Sequence, residues 1–202
     1  MNSPHDVSCR RLKRIAHFGI LLLAGWLGSA TGIAAQDSLT ITTNHYLVTG
    51  STLREIRQSI NQMRPGGTKA STDALTTWNI KWQTQVNPVG GEYRLTSFNT
   101  TTTIVITMPS WMAPTNAAPQ LMKKWLSYYS VLQKHEVNHS KIGTQAAEAL
   151  RKRIGEIGSD ADRSRLQLRI QKMADSVIAE FRQRDADYDR ETDHGRKEGA
   201  NL

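Results

Sequence analysis

The sequence predicts an α+β fold in which a small twisted antiparallel sheet packs on one long helix, and that helix begins an antiparallel helical hairpin. Three observations predict this arrangement. Stretches rich in β-branched residues, with turn residues between them, occupy a β-rich half over 36–112. Apolar residues spaced three or four apart occupy a helical half over 116–202. A short glycine-bearing break over 155–158 divides that half into two helices.

The first 35 residues have the composition of a signal peptide. A basic segment, Cys9 to Arg14, precedes 14 mostly apolar residues, Ile15 to Gly28, and small residues follow. The apolar run is shorter than the roughly 20 residues that a bilayer span needs. We therefore predict a secreted or periplasmic protein, cleaved after Ala35, with 36–202 as a single domain. An uncleaved N-terminal anchor is the alternative.

Removing that segment changes the charge and the cysteine content of the chain. Its four basic residues and one acid carry a net +3, so the formal charge of +8 falls to 8 − 3 = +5. The single cysteine, Cys9, also leaves, so no disulfide is expected. The remaining basic residues alternate with acids along the helices, which is typical of a solvated surface. We expect no nucleic-acid partner and no stable membrane insertion after cleavage.

Four strands and one helix are predicted in the β-rich half. Ser51 is expected to cap the helix, and Pro109 to end the last strand. Trp78, Ile80 and Trp82 alternate with polar residues, so they share one face of a strand. Trp78, Trp82 and Trp111 are predicted to lie in the core. The predicted elements are strands 38–50, 75–86, 92–98 and 100–109, and a helix over 51–63.

Two helices are predicted in the other half. Pro119 suits the first turn of the first helix. Ser159 or Asp160 is expected to cap the second, whose apolar stripe extends to Phe181. If the second helix stops near Tyr188, the glycine-bearing tail after it can fold back toward the first helix.

The first helix contains the pattern H-E-x-x-H at His135, Glu136 and His139. Positions four apart share one face of a helix, so the two imidazoles can bind one Zn²⁺. Glu136, next to the first histidine, can reach a water molecule and act as a general base. The pattern therefore indicates a single zinc ion with a catalytic carboxylate, and the alternative is two histidines that bind no metal.

A catalytic zinc site usually has three protein ligands. The metzincin continuation H-E-x-x-H-x-x-G-x-x-H is excluded, because Ile142 and Gln145 occupy the required glycine and histidine positions. Glu148 is nine residues beyond His139, about 14 Å along the helix, and Glu156 lies farther still. Two candidates remain from the residues alone: Glu180, by the geometry of the helical hairpin, and His194, in the tail.

Several segments resemble a bacterial family described as predicted secreted zinc-dependent proteases. They are YLVTGSTLREIRQSI, TTWNIKWQ, TTTTIVITMPSW, WLSYYSVLQKHEVNH and YDRETDHG, and the resemblance extends over most of residues 36–202. The tail matches a Tyr-Asp…Thr-x-His-Gly signature, and this resemblance implies His194 rather than Glu180 as the third zinc ligand. The family also tends to carry a cysteine among its strands, which this chain lacks.

The resemblance implies a zincin-like fold, with the TTTTIVIT strand nearest the site and able to align an extended peptide along its edge. Tyr188 could donate a hydrogen bond to a developing oxyanion, or simply pack at the helix end. Asp189 and Asp193 could orient His194.

We therefore expect a secreted zinc-dependent peptidase, in which His135, His139 and His194 bind one Zn²⁺ and Glu136 activates water. Its partner would be a peptide or protein substrate. The first alternative is a non-enzymatic cell-envelope protein with a structural metal, or none. The second is a helical adaptor whose basic hairpin binds an acidic partner or lipid head groups.

Overall fold

A computed structural model describes residues 36–202, so the predicted signal peptide lies outside the described residues. Three strands and three α-helices follow in chain order, with two short 3₁₀ turns at Gly67–Lys69 and Arg196–Glu198. The elements are β1 (Asp37–Val48), α1 (Leu53–Met63), β2 (Leu75–Val89), β3 (Glu92–Trp111), α2 (Pro119–Gly155) and α3 (Arg163–Thr192). The α+β class is as predicted, and the elements follow the predicted order except that three strands replace the predicted four.

β2 and β3 form the predicted hairpin, and its turn explains their tight pairing. Gly90 and Gly91 have φ of +63° and +86°. Positive φ at both central residues matches the twist of a two-residue hairpin turn, and glycine adopts it without steric cost.

The two strands predicted over 92–98 and 100–109 are one continuous strand, β3, and Pro109 does not end it. β2 pairs with β3 only as far as Thr107, so Pro109 lies where β3 has one free edge. A free edge is where a sheet tolerates a residue without an N–H group.

The sheet is mixed rather than antiparallel, which corrects the sequence prediction. Its order is β1-β3-β2, and β1 runs parallel to β3, with Asp37 opposite Thr100 and Val48 opposite Trp111. The alternation of apolar and polar residues defines the faces of a strand but not its direction, so it could not predict that β1 and β3 are parallel. β3 is the central strand and has a partner on each side over 100–107, so the TTTTIVIT segment cannot serve as the edge predicted to align a peptide.

α2 lies against the sheet at a close contact between Trp78 and Gly143. Trp78 is buried, and a Cβ built on Gly143 would lie 2.8 Å from the Trp78 Cβ and Cγ atoms. The glycine therefore lets the helix backbone approach the indole ring. On the outer edge of β2, Arg182 of α3 donates a 2.6 Å hydrogen bond to the Trp78 carbonyl, which closes that edge at this point.

α2 and α3 are antiparallel, as predicted. His139 faces Asp185 and His135 faces Asp189, so residue numbers fall on one helix as they rise on the other. The second helix begins later than predicted, since Asp162, rather than Ser159 or Asp160, caps it by accepting from the Arg165 N–H.

The cap of α1 differs in a similar way. Thr52 caps this helix, while Ser51 donates to the Glu55 carboxylate. Within residues 36–202, no helix combines the length and apolarity needed to cross a bilayer.

Candidate metal centre

His135 and His139 lie one turn apart on the buried face of α2, and each ring is fixed by a carboxylate. The two residues are 2% and 5% exposed. His135 Nδ1 is 2.9 Å from Glu198 Oε2, and His139 Nδ1 is 2.8 Å from Asp185 Oδ1. A ring proton shared with a carboxylate at Nδ1 leaves the lone pair on Nε2. Metal-binding histidines are usually oriented by such a carboxylate.

Both Nε2 atoms point to the same place, and a third donor atom joins them. They lie 3.1 Å apart, and Asp189 Oδ1 is 3.2 Å from the His135 atom and 3.1 Å from the His139 atom. In tetrahedral zinc sites with bonds of about 2.05 Å, donor atoms are about 3.3 Å apart. The nearly equilateral triangle of His135, His139 and Asp189 could therefore hold a metal ion.

The protonation of the triangle shows how strongly it attracts positive charge. Burial would lower the pKa of His139, but hydrogen bonds with Asp185 and Asp189 outweigh burial and raise the pKa to about 10. The pKa of His135 is also raised, by Asp189 and Glu198 against the effect of burial. Burial would raise the pKa of Asp189, but its bonds to the two histidines hold that pKa well below its usual range. Protons or a metal cation can supply the charge that this cluster needs.

Glu136 borders the same cavity, which has a volume of about 130 Å³. Its side chain is buried, and its Oε2 accepts a 2.7 Å hydrogen bond from the Thr76 hydroxyl at the start of β2. Burial raises the pKa of Glu136, and the Thr76 bond opposes part of that rise. The bond uses Oε2 alone, so β2 fixes the carboxylate without engaging its second oxygen.

His194 reaches the cavity from a turn that follows α3. The chain reverses there because Asp193, His194 and Gly195 all have positive φ, at 51°, 53° and 82°. His194 Nδ1 lies 3.1 Å from Asp189 Oδ1, yet it is buried and forms no hydrogen bond with the described residues. A buried imidazole nitrogen without a partner is costly, and a metal ion beside it would remove that cost.

The structure places Glu180 outside the cavity and packs the ring of Tyr188 against His135. Glu180 is exposed and pairs with Arg153 at 2.6 Å, outside the cavity. The Tyr188 hydroxyl donates to Glu198 at 3.0 Å and accepts from Asn138 at 2.9 Å. Its ring stacks on His135 with centroids 4.8 Å apart, so Tyr188 holds that imidazole in place. Its predicted interaction with an oxyanion stays a prediction.

Trp78 links the sheet to the triangle. Its indole N–H donates to Asp185 Oδ2 at 3.2 Å, and the other oxygen of Asp185 holds His139. Arg182 covers the indole ring, with its guanidinium carbon 3.7 Å from the ring centroid. The packing between Gly143 and Trp78 is thereby connected to the orientation of a metal-type ligand.

Asp73 fixes the segment that forms the opposite wall of the cavity. Its carboxylate accepts from Arg57 at 2.6 Å, from Arg64 at 3.1 Å and from the Tyr128 hydroxyl at 2.8 Å. Its carbonyl accepts from the Tyr46 hydroxyl at 2.5 Å. These bonds join β1, α1 and α2 to the chain that leads into β2.

Sequence reasoning missed Asp185 and Glu198 and gave Asp189 a lesser role. A usable pattern was present, because Asp185 and Asp189 are four apart, the same spacing as His135 and His139. Two helical pairs of that spacing can face each other across an antiparallel hairpin. No comparable pattern marks Glu198, whose position depends on the turn after α3.

The fold and site define a class: an α+β protein in which a helical hairpin on a mixed sheet holds two histidines and a carboxylate in metal-binding geometry. Residues 43–195 match a family described as "Bacterial protein of unknown function (DUF922)". The match spans most of the chain, so the protein belongs to this family. Membership in a bacterial family is as the sequence motifs predicted, and the match assigns no activity. No curated protein and no solved structure matches the chain.

Proposed function

We propose that the protein is an exported zinc-dependent peptidase. The observation that carries this proposal is the triangle of His135 Nε2, His139 Nε2 and Asp189 Oδ1, with the buried Glu136 carboxylate in the same cavity. Two imidazoles and one carboxylate are a common ligand set of catalytic zinc, which keeps a further position open. The residues therefore fit zinc, with Asp189 in the place predicted for His194.

When bound, zinc would supply a Lewis acid that polarises a carbonyl and makes a water molecule easier to deprotonate. Glu136 would take the proton from that water at its free oxygen and pass it to the leaving amine. Thr76 holds the carboxylate at 2.7 Å, so Glu136 enters the reaction already oriented. Asp185 and Glu198 keep both imidazoles in the tautomer with a free Nε2 atom.

The N-terminal composition supports this proposal, since it is that of a signal peptide and an exported hydrolase would act outside the cytosol. A peptide or protein substrate is proposed from the H-E-x-x-H pattern, whose chemistry suits amide hydrolysis.

The test is Glu136→Gln, which preserves side-chain volume and the hydrogen bond from Thr76. We expect the variant to bind zinc as the wild type does, by elemental analysis, and to lose at least about 100-fold of the cleavage rate on fluorescein-labelled casein. Exposed Glu148→Gln, on the same helix, is the control and should keep the rate. Equal rates in the wild type and Glu136→Gln would refute the catalytic role.

One observation favours a second candidate, a non-enzymatic protein with a structural metal. His194 also lines the cavity, with its Nδ1 3.1 Å from Asp189 Oδ1, and structural zinc sites have four protein ligands, so this histidine would have to turn toward the triangle to complete one. Zinc bound at full occupancy with no cleavage of any peptide in a diverse library would support this candidate.

A further inference from the structure

We propose that two copies of the protein pair through the outer edge of β1, so that their two sheets join into one. The partner that this surface fits is therefore a second copy of the same chain. The inference goes beyond the proposed peptidase function and does not depend on it, because it rests on β1 and on the side of α2 that faces away from the metal triangle.

The free edge of β1 is long and carries almost no charge. The strand order β1-β3-β2 leaves one side of β1 without a strand partner among residues 36–202. β1 has 12 residues, more than the 3–10 of most strands, and pairs with β3 without a bulge. Residues 38–48 include no Lys, Arg, Asp, Glu or Pro, the residues that commonly keep edge strands from pairing. Such an edge is a template for another strand.

The backbone groups of this edge are directed outward. The Gln36 carbonyl accepts from the Thr100 N–H at 3.3 Å. At the other end, the Val48 carbonyl accepts from the Met112 N–H at 2.8 Å. Even-numbered residues thus bond toward β3, and successive residues of a strand direct their N–H and C=O groups to opposite sides. The odd-numbered residues of β1 therefore present theirs to a new strand.

Apolar side chains accompany the same odd-numbered residues. Leu39, Ile41 and Leu47 are each at least half exposed. They lie on the face of the sheet that forms the core, since Leu39 pairs with the buried Thr102 and Ile41 with the buried Ile104. The core face is thus covered at β3 and open at β1, where a second copy can cover it.

One side of α2 borders this open face. Arg151 pairs with Asp37 at 2.9 Å, at the start of β1. Near the end of β1, the Tyr129 hydroxyl lies 3.5 Å from His45 Nε2. These two contacts show that α2 runs antiparallel to β1 and follows most of its length.

The side of α2 that borders β1 is apolar and lies away from the metal triangle. Leu126 and Val137 are exposed, and at 100° per residue both lie within about 80° of Tyr129 around the helix. The same rotation puts both about 140–180° from His135 and His139. A peptide bound here would be separated from the triangle by α2, so this surface suits a second copy better than a substrate.

Antiparallel pairing about a twofold axis at Thr43 matches this edge to itself. Leu39 then lies opposite the partner's Leu47, and Asp37 lies beyond these leucines at the end of the pair. An axis at Thr42 would instead set Leu47 against the charged Asp37. With the axis at Thr43, five pairs of odd-numbered residues exchange two hydrogen bonds each, about ten in all, as many as a typical stable interface contains.

The size of the edge also suits a stable pair. At about 3.3 Å per residue, the 12 residues of β1 form a strip about 40 Å long, and its two rows of side chains make it about 10 Å high. That is about 400 Å² per copy, and a further 5 Å of height from Leu126 and Val137 along α2 gives about 600 Å². A stable interface buries at least about 600 Å² per partner.

The experiment places charges at the twofold axis, in protein purified from cells that express the full chain. Thr43 is exposed, so Thr43→Lys and Thr43→Asp should keep the wild-type circular dichroism spectrum. Each sets like charges opposite each other and should raise the dimer dissociation constant at least about tenfold in sedimentation equilibrium. An equimolar mixture of the two variants should dimerise, because lysine then faces aspartate.

Thr103→Lys is the matched control. It makes the same change at an exposed threonine, on the outer face of the central strand, and should dimerise as the wild type does.

A wild type that is monomeric at high micromolar concentration would overturn the proposal. Thr43→Lys and Thr43→Asp proteins that dimerise like the wild type would also overturn it, as would a mixture of them that stays monomeric. Monomers whose β1 amides are protected from hydrogen exchange by added casein peptides would overturn it too, because a peptide would then be the occupant of the edge.

Discussion

Asp185→Asn tests whether the carboxylate behind His139 controls metal affinity. Asp185 accepts a 2.8 Å hydrogen bond from His139 Nδ1 with one oxygen and a 3.2 Å bond from the Trp78 indole N–H with the other. Asparagine has the same shape but only one acceptor. If its oxygen faces His139, its NH₂ group faces the indole N–H, and two donors oppose each other.

The size of the effect follows from the two bonds. A hydrogen bond with a charged group contributes about 1.5–3 kcal/mol and a neutral one about 0.5–1.5 kcal/mol, so the His139 bond weakens by about 1–1.5 kcal/mol. Loss of the Trp78 bond adds about 1 kcal/mol. Because about 1.4 kcal/mol corresponds to a tenfold change in a dissociation constant, these two losses together should raise the zinc dissociation constant about 25–60-fold. Trp78→Phe removes the indole bond, and also part of the ring that Arg182 covers, so it should raise the constant by at least about fivefold.

Competition with a chromogenic chelator measures these constants. Asp187→Asn is the matched control, because Asp187 lies on the same helix and binds Gln183 and Arg190 rather than the site. Its constant should stay within about twofold of the wild type. The reasoning is wrong if Asp185→Asn binds zinc like the wild type, or if Asp187→Asn loses as much affinity.

Four further predictions concern packing, proton release on zinc binding, the pH dependence of stability and the Asp73 network. Gly143→Ala places a Cβ 2.8 Å from Trp78, so overpacking should cost about 1–3 kcal/mol and lower the melting temperature, although alanine has the better helix propensity. Gly155→Ala is the control, because the space around Gly155 is open, and it should not lower the melting temperature. Because the raised pKa of His139, about 10, keeps that ring protonated at pH 7, zinc binding should release protons and tighten as pH rises. Calorimetry in buffers of different ionisation enthalpy measures the proton release. A binding enthalpy that does not depend on the buffer would contradict the prediction. The same raised pKa stabilises the metal-free fold fully below pH 6.5, so its free energy of unfolding should fall from there toward pH 10, as denaturant titration would show. Asp73→Ala leaves two partly buried arginines unpaired, so it should lower the free energy of unfolding by about 3 kcal/mol and the melting temperature by about 6–12 °C, as calorimetry would measure. A change under about 2 °C would contradict the role of Asp73 in fixing the segment before β2.

The class of fold and two histidines of the candidate site could be predicted because each depends on local pattern. Apolar residues three or four apart identified both long helices, and the H-E-x-x-H spacing placed His135 and His139 on one face, as the structure shows. Tight turns are also local, so the hairpin closed by Gly90 and Gly91 was predictable.

The misses depend on relations between distant segments. The prediction placed the turn of the helical hairpin within 155–158, which brings Glu180 toward His139, but the loop extends to Asp162 and brings Asp185 there instead. A shift of a few residues in the turn changes which side chains of α3 face α2. The parallel direction of β1 likewise depends on the path of the chain through α1 and β2. The alternation of residues within β1 contains no information about that path.

The donor atoms of the triangle come from two helices, and His135 and Asp189 are separated by 54 positions. An unfolded chain does not hold such distant groups at the spacing that an ion needs, so a bound cation would favour the folded state alone. At a free concentration 1,000 times the dissociation constant, this linkage contributes about 4.1 kcal/mol. The 36–202 segment contains no cysteine and so no disulfide. Part of its stability would then depend on the supply of divalent metal, and chelators would act on it as denaturants.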